Sequence, residues 1–142
     1  MGFRRLITGG MALWVGSPAS AGSYAVERWG LRDGLPQSSV TDITQDEHGY
    51  LWLTTFGGLA RFDGLNFEVF ELSTHPELGA NRFVGVQRSG DDGALWFSTQ
   101  DRGLLRWDGQ RFHTAALPDA LTGRAVSPPV EDRAGSIWAI VG

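Results

Sequence analysis

Short apolar runs, each four to six residues long, alternate with polar turns along most of the chain. Tyr50–Thr55 (YLWLTT), Leu59–Phe62 (LARF) and Phe67–Leu72 (FEVFEL) are strand-length and rich in aromatic, aliphatic or β-branched residues. Asp-Glu-His-Gly, Phe-Gly-Gly and Asp-Gly-Leu-Asn punctuate them, which is turn chemistry. Further runs at Val40–Thr44, Phe83–Gln87 and a proline-interrupted Val126–Val130 precede the tryptophan-bearing strands. Strands such as YLWL are apolar on both sides, which predicts sheets covered on both faces.

The pattern repeats. Gly-x-hydrophobic-Trp occurs at Gly49 to Trp52, Gly93 to Trp96 and Gly135 to Trp138, and the tryptophans recur at intervals of 44 and 42 residues. Each of the first two copies continues with Thr (Thr55, Thr99), Gly-Leu (Gly58, Gly103) and Arg-aromatic-Asp-Gly. The latter places Asp63-Gly64 and Asp108-Gly109 where glycine can supply the positive φ of a hairpin turn. A strand-rich period of this length is the signature of propeller blades. The reading is an all-β fold of β-propeller blades, each of four antiparallel strands. It comprises about two and a half blades plus an orphan N-terminal strand, in an incomplete ring. Blade one spans about 39–72, blade two about 82–116 and a partial blade three about 124–142, with the orphan strand at about 24–29. Pro128 and Pro129 make the third copy irregular. A ring takes roughly four to eight blades, so the chain reads as the N-terminal piece of a longer protein.

The first 21 residues have a different character. Arg4-Arg5, a short apolar run from Leu6 to Gly16, Pro18 and an Ala19-Ser20-Ala21 pattern form a secretory signal peptide, residues 1–21. Cleavage is expected between Ala21 and Gly22, leaving 22–142 as the partial propeller. The arginine pair leaves the general secretory and twin-arginine routes both open. The run is too short to span a bilayer, and no later stretch is long enough either. Cleavage removes two arginines and no acid, moving the net charge of −4 to −6. All 12 basic residues are arginines, scattered singly after Arg5, and make no nucleic-acid-binding stripe. There is no cysteine, hence no disulfide and no thiolate chemistry.

Trp29–Phe67 resembles the opening of the two-component regulator propeller family. The matching residues are Asp33-Gly34-Leu35, Val40, Ile43, Asp46, Gly49, Leu51-Trp52, Thr55, Gly58-Leu59 and Phe62-Asp63-Gly64. The second copy departs from the pattern at Gly90, which replaces the first Asp, and the third at Pro129. The resemblance implies the periplasmic sensor region of a larger signalling protein, followed by a transmembrane helix and a cytoplasmic histidine kinase or diguanylate cyclase. It also implies that the parent is anchored in the inner membrane and that the ligand is small, with polysaccharide fragments as one class.

Candidate chemistry is sparse. Phe56-Gly57-Gly58-Leu59 lacks the lysine and spacing of a phosphate loop. The acidic turns Asp46-Glu47-His48-Gly49 and Gly90-Asp91-Asp92-Gly93 lack the full calcium-loop pattern and read as side chains bonding their own backbone. His48, His75 and His113 share no repeat position and no ligand spacing, and no nucleophile elbow occurs. Trp52, Trp96 and Trp138 could stack on sugars, but their common mid-strand position points to packing between blades. No catalytic residue, cofactor or metal ligand is assigned. The function expected is non-catalytic sensing through a ligand-binding propeller module, partnered by the remaining blades of the parent chain. The alternatives are a fragment of a secreted carbohydrate-binding or carbohydrate-active propeller, or a truncated remnant.

Overall fold

A computed structural model describes residues 4–8, 11–15, 26–90, 92–115, 118 and 123–142. Ala21 and Gly22, and with them the expected cleavage point, lie outside the described residues. Two strands, β1 (Arg4–Thr8) and β2 (Met11–Val15), pair antiparallel, and β2 pairs in turn with β3 (Val26–Glu27). The strand in the orphan-strand region thus runs beside Met11–Val15.

Two four-stranded antiparallel sheets follow. The first has β4 (Val40–Gln45), β5 (Leu51–Thr55), β6 (Gly58–Phe62) and β7 (Phe67–Phe70), in that spatial order. The second has β8 (Phe83–Arg88), β9 (Leu95–Thr99), β10 (Leu104–Trp107) and β11 (Phe112–Thr114), again in chain order. The remaining sheet has two short strands, β12 (Val130–Glu131) and β13 (Ile137–Trp138). A bridge between Val126 and Val141 extends it past the prolines. Pro128 and Pro129 have no N–H to donate, and the ladder is broken there. Single 3-10 turns at Leu31–Asp33 and Pro76–Leu78 lie in the connections that lead into the two full sheets. This up-and-down meander, repeated, is a partial β-propeller.

Side-chain alternation along β5 and β9 decides what packs where. Trp52 points from the first sheet toward the second and is fully buried against Phe97, Trp107 and Phe112, with ring centroids 5.6, 5.4 and 6.3 Å away. Leu53, with Ala60 and Phe62, faces the opposite way and is covered by Leu35 and Trp29 of the lead-in segment. Trp29 meets Phe62 edge-on at 5.2 Å. The first sheet is thus covered on both faces, as its two-sided apolar strands require.

The sheets are also tied where β4 and β8 meet. Thr41 Oγ1 donates to the Phe83 carbonyl at 3.0 Å, and Asp42 Oδ2 accepts the Val86 amide at 3.0 Å. Both strands carry a register shift at the same repeat position, between Val40 and Asp42 and between Phe83 and Gly85. Gly85 stands where the second sheet meets the third segment. A Cβ there would lie 2.5 Å from the Pro128 ring. Glu131 then accepts from Ser89 Oγ at 3.2 Å and the Gly90 amide at 2.5 Å.

Candidate functional site

The repeat positions singled out in the sequence form a set of side-chain clamps. Asp46 Oδ1 accepts the amides of His48 and Tyr50, both at 2.9 Å, and its Oδ2 accepts Trp52 Nε1 at 2.9 Å. Asp132 repeats the arrangement with Ala134, Ser136 and Trp138 Nε1 at 2.8, 3.0 and 2.7 Å. One carboxylate therefore closes the turn and fixes the indole of the next strand. Gly49 and Gly135 sit in these turns at φ 90° and 81°, and Gly93 takes φ 70° in the second copy. There Gly90 has no carboxylate to offer. Asp92 caps Ala94 instead and pairs with Arg106, which lies over the Trp96 ring at 5.9 Å.

Two further clamps recur. Thr55 Oγ1 donates to the Gly58 carbonyl at 2.8 Å and accepts the Gly57 amide at 3.0 Å. Thr99 does the same with Gly103 and Arg102, at 2.9 and 2.8 Å. Asp63 Oδ1 accepts the amides of Leu65 and Asn66, and Asp108 Oδ1 those of Gln110 and Arg111. Gly64 and Gly109 follow these aspartates at φ 106° and 96°.

Burial of the three repeat tryptophans falls along the chain. Trp52 is fully buried, Trp96 is half-buried and Trp138 is 65% exposed. Trp52 packs against rings of the complete second sheet, and the Arg106 guanidinium lies over Trp96. The same tag orients the indole at Trp52 and Trp138, and the second sheet buries the first of them. Trp107, by contrast, packs on Trp52 and Phe112.

The clamps shape the electrostatics. The Asn66 and Leu65 amides hold the Asp63 carboxyl below the ordinary value of 3.8. Asp92 is lowered by the Ala94 amide and then by Arg106. Asp108 is lowered furthest, by the amides of Arg111 and Gln110 and by His113 at 2.6 Å. Asp132 is lowered first by the Trp138 indole and then by the Ser136 amide. A depressed carboxylate pKa contributes stability above the unfolded value, and that stability is lost as pH falls through the folded value. Urea unfolding midpoints should therefore be insensitive to these four groups from pH 7 to about 5 and fall below about pH 4. A flat midpoint down to pH 3 would remove the clamps as stabilising elements.

Asp46→Asn gives a sharper result. It keeps an acceptor for the turn amides but turns an NH2 toward the Trp52 indole N–H, setting donor against donor. The expected loss is about 1–3 kcal/mol in urea unfolding, whereas loss-free substitution would show that the indole bond does not matter.

No catalytic constellation comes from these groups. His48 lies in an exposed turn, His75 packs at a tilt against Phe70 with ring centroids 4.9 Å apart, and His113 is held by Asp108. Among the described residues, no three His, Cys, Asp or Glu side chains gather as a metal-holding group, and no helix is long and apolar enough to cross a membrane. An open cleft of about 330 Å³ is lined by Gly34, Leu35, Pro36, Val69, Glu71 and Thr74 beside the lead-in segment.

Comparison with known proteins fits this geometry. Residues 34–57 match the family described as two component regulator propeller. That range runs from the lead-in glycine through β4 and β5 to the Thr55 clamp. A stretch of 38 residues is 55% identical to histidine kinase P4 of Formosa agariphila, covering 27% of this chain and 3% of that protein. The fold matches the extracellular domain of a B. thetaiotaomicron protein assigned as a hybrid two-component system. The TM-score is 0.69 at 20% identity, covering 96% of this chain and 20% of that one. The chain thus spans a small part of the length of both. Residues 34–57 thus resemble a two-component regulator propeller repeat, in a chain that folds as part of a β-propeller.

Proposed function

We propose that this chain is part of an extracytoplasmic sensor propeller, exported through its signal segment and joined to a membrane-anchored two-component or cyclic-di-GMP signalling protein. The observation that carries this reading is the family match over 34–57, supported by the 38-residue likeness to a histidine kinase. In this reading the chain catalyses nothing. It presents a ligand surface on stacked sheets, and the output lies elsewhere in the parent. A small ligand, with polysaccharide fragments as the class the resemblance implies, would shift how neighbouring sheets sit on one another.

The test is the product of the uninterrupted genomic reading frame. It should contain further repeats, one apolar span of about 20 residues and a kinase or cyclase whose purified product autophosphorylates or makes cyclic-di-GMP. A product with hydrolase or lyase activity in the propeller and no signalling domain would overturn the reading.

A further inference from the structure

The internal repeat separates residues the scaffold needs from residues it does not. Asp46 and Asp132, Thr55 and Thr99, Gly58 and Gly103, and Asp63 and Asp108 recur because each closes a turn. At the end of the sheets where β4 and β8 begin, equivalent positions differ. The residue before the first strand is Ser39 in one copy, Arg82 in the next and Ala125 in the third. The residue after the threonine clamp is Phe56 in the first copy and Gln100 in the second.

These variable residues meet. The Arg82 guanidinium lies over the Phe56 ring with its centre 4.6 Å from the centroid. Its Nε donates to Gln100 Oε1, while the Gln100 amide donates to the Arg82 carbonyl at 2.9 Å. Arg82 is thus held in orientation from both sheets at once, yet it is exposed. Other oriented arginines are neutralised: Arg61 pairs with Glu68 and Arg106 with Asp92. Among the described residues no carboxylate lies within ion-pair distance of Arg82. Asp101 and Arg102 in the neighbouring turn offset each other in charge. A planar guanidinium fixed at one edge and on one face presents its two terminal nitrogens as a fork, which suits a carboxylate held by two parallel hydrogen bonds.

We infer that Arg82, oriented by Phe56 and Gln100, is the anchor for a ligand carboxylate at this end of the sheets. The inference rests on the sensor reading and narrows its ligand to acidic molecules, with a carboxylated sugar the form that joins the two.

Titrating the full 142-residue chain with sodium glucuronate, glucose and sodium sulfate, followed by calorimetry, tests it. Glucuronate should bind, and glucose should bind at least about tenfold more weakly, the equivalent of one charge-assisted hydrogen bond. Sulfate should also bind more weakly than glucuronate. Arg82→Gln should lose glucuronate binding by a similar factor with an unchanged circular dichroism spectrum. Arg82→Lys should retain part of it, and serves if the glutamine variant fails to fold. Absence of glucuronate binding, equal binding of glucuronate and glucose, sulfate binding as tight as glucuronate, or wild-type affinity in a folded Arg82 variant would overturn the assignment. Export and the genomic reading frame do not depend on this result, so a failed titration removes the carboxylate and leaves the sensor reading to its own test.

Discussion

Replacing Trp52 with alanine should cost about 3–5 kcal/mol in urea unfolding, the range for deleting a large buried aromatic. The side chain is wholly buried and touches both sheets. It stacks on Phe70 of its own sheet at 5.3 Å and meets Phe97, Trp107 and Phe112 of the next. Its removal leaves a cavity lined by rings fixed on four strands, which cannot close without moving the sheets. It also leaves Asp46 Oδ2 without its indole donor. Domains of this size are stable by roughly 5–15 kcal/mol, so the variant should give up a large share of its stability. The same change at Trp138 should cost far less, because that side chain is 65% exposed. Equal losses at the two sites would contradict packing between sheets as the role of the buried tryptophan.

Gly58→Val should be nearly as damaging, by roughly 2–5 kcal/mol from backbone strain and overpacking together. Gly58 has φ 140°, a conformation L side chains rarely adopt, and a Cβ there would lie 2.6 Å from the Phe70 carbonyl oxygen. That oxygen belongs to backbone in the adjacent strand and cannot swing aside. Gly109→Ala provides the comparison. Its φ is also positive, at 96°, but nothing lies within 4 Å of the added carbon. It should pay only the conformational part, about 1 kcal/mol. Thermal or urea midpoints of the two variants separate the steric cost from the conformational one, and similar losses would rule out the close approach at Gly58.

The repeat was legible in the sequence because its scaffold residues act locally. Asp63, Asp108, Thr55 and Thr99 bond partners within four residues, so their turns follow from spacing alone. The reach of Asp46 to the Trp52 indole was not legible. It joins a turn to the second residue of β5, and only the strand's pleat brings them together. Trp138 shows the limit from the other side. Its tag is the same as that of Trp52, but burial comes from a neighbouring sheet, which spacing within one copy does not encode. The partnership of Arg82 with Phe56 was hidden for a related reason. The two belong to different copies and different repeat positions, and they meet only because the sheets pack edge to edge at β4 and β8. Pro128 and Pro129 could be read as breaking a strand, but not as the reason Gly85 has no side chain.

The account's central claim is that these sheets belong to a propeller working outside the cytoplasm. Alkaline phosphatase fused after Gly142, with translation begun at Met1, tests it most directly. The account predicts an active phosphatase, with activity lost when residues 1–21 are deleted and β-galactosidase at the same junction inactive. An inactive phosphatase with an active β-galactosidase would place the sheets in the cytoplasm and contradict it.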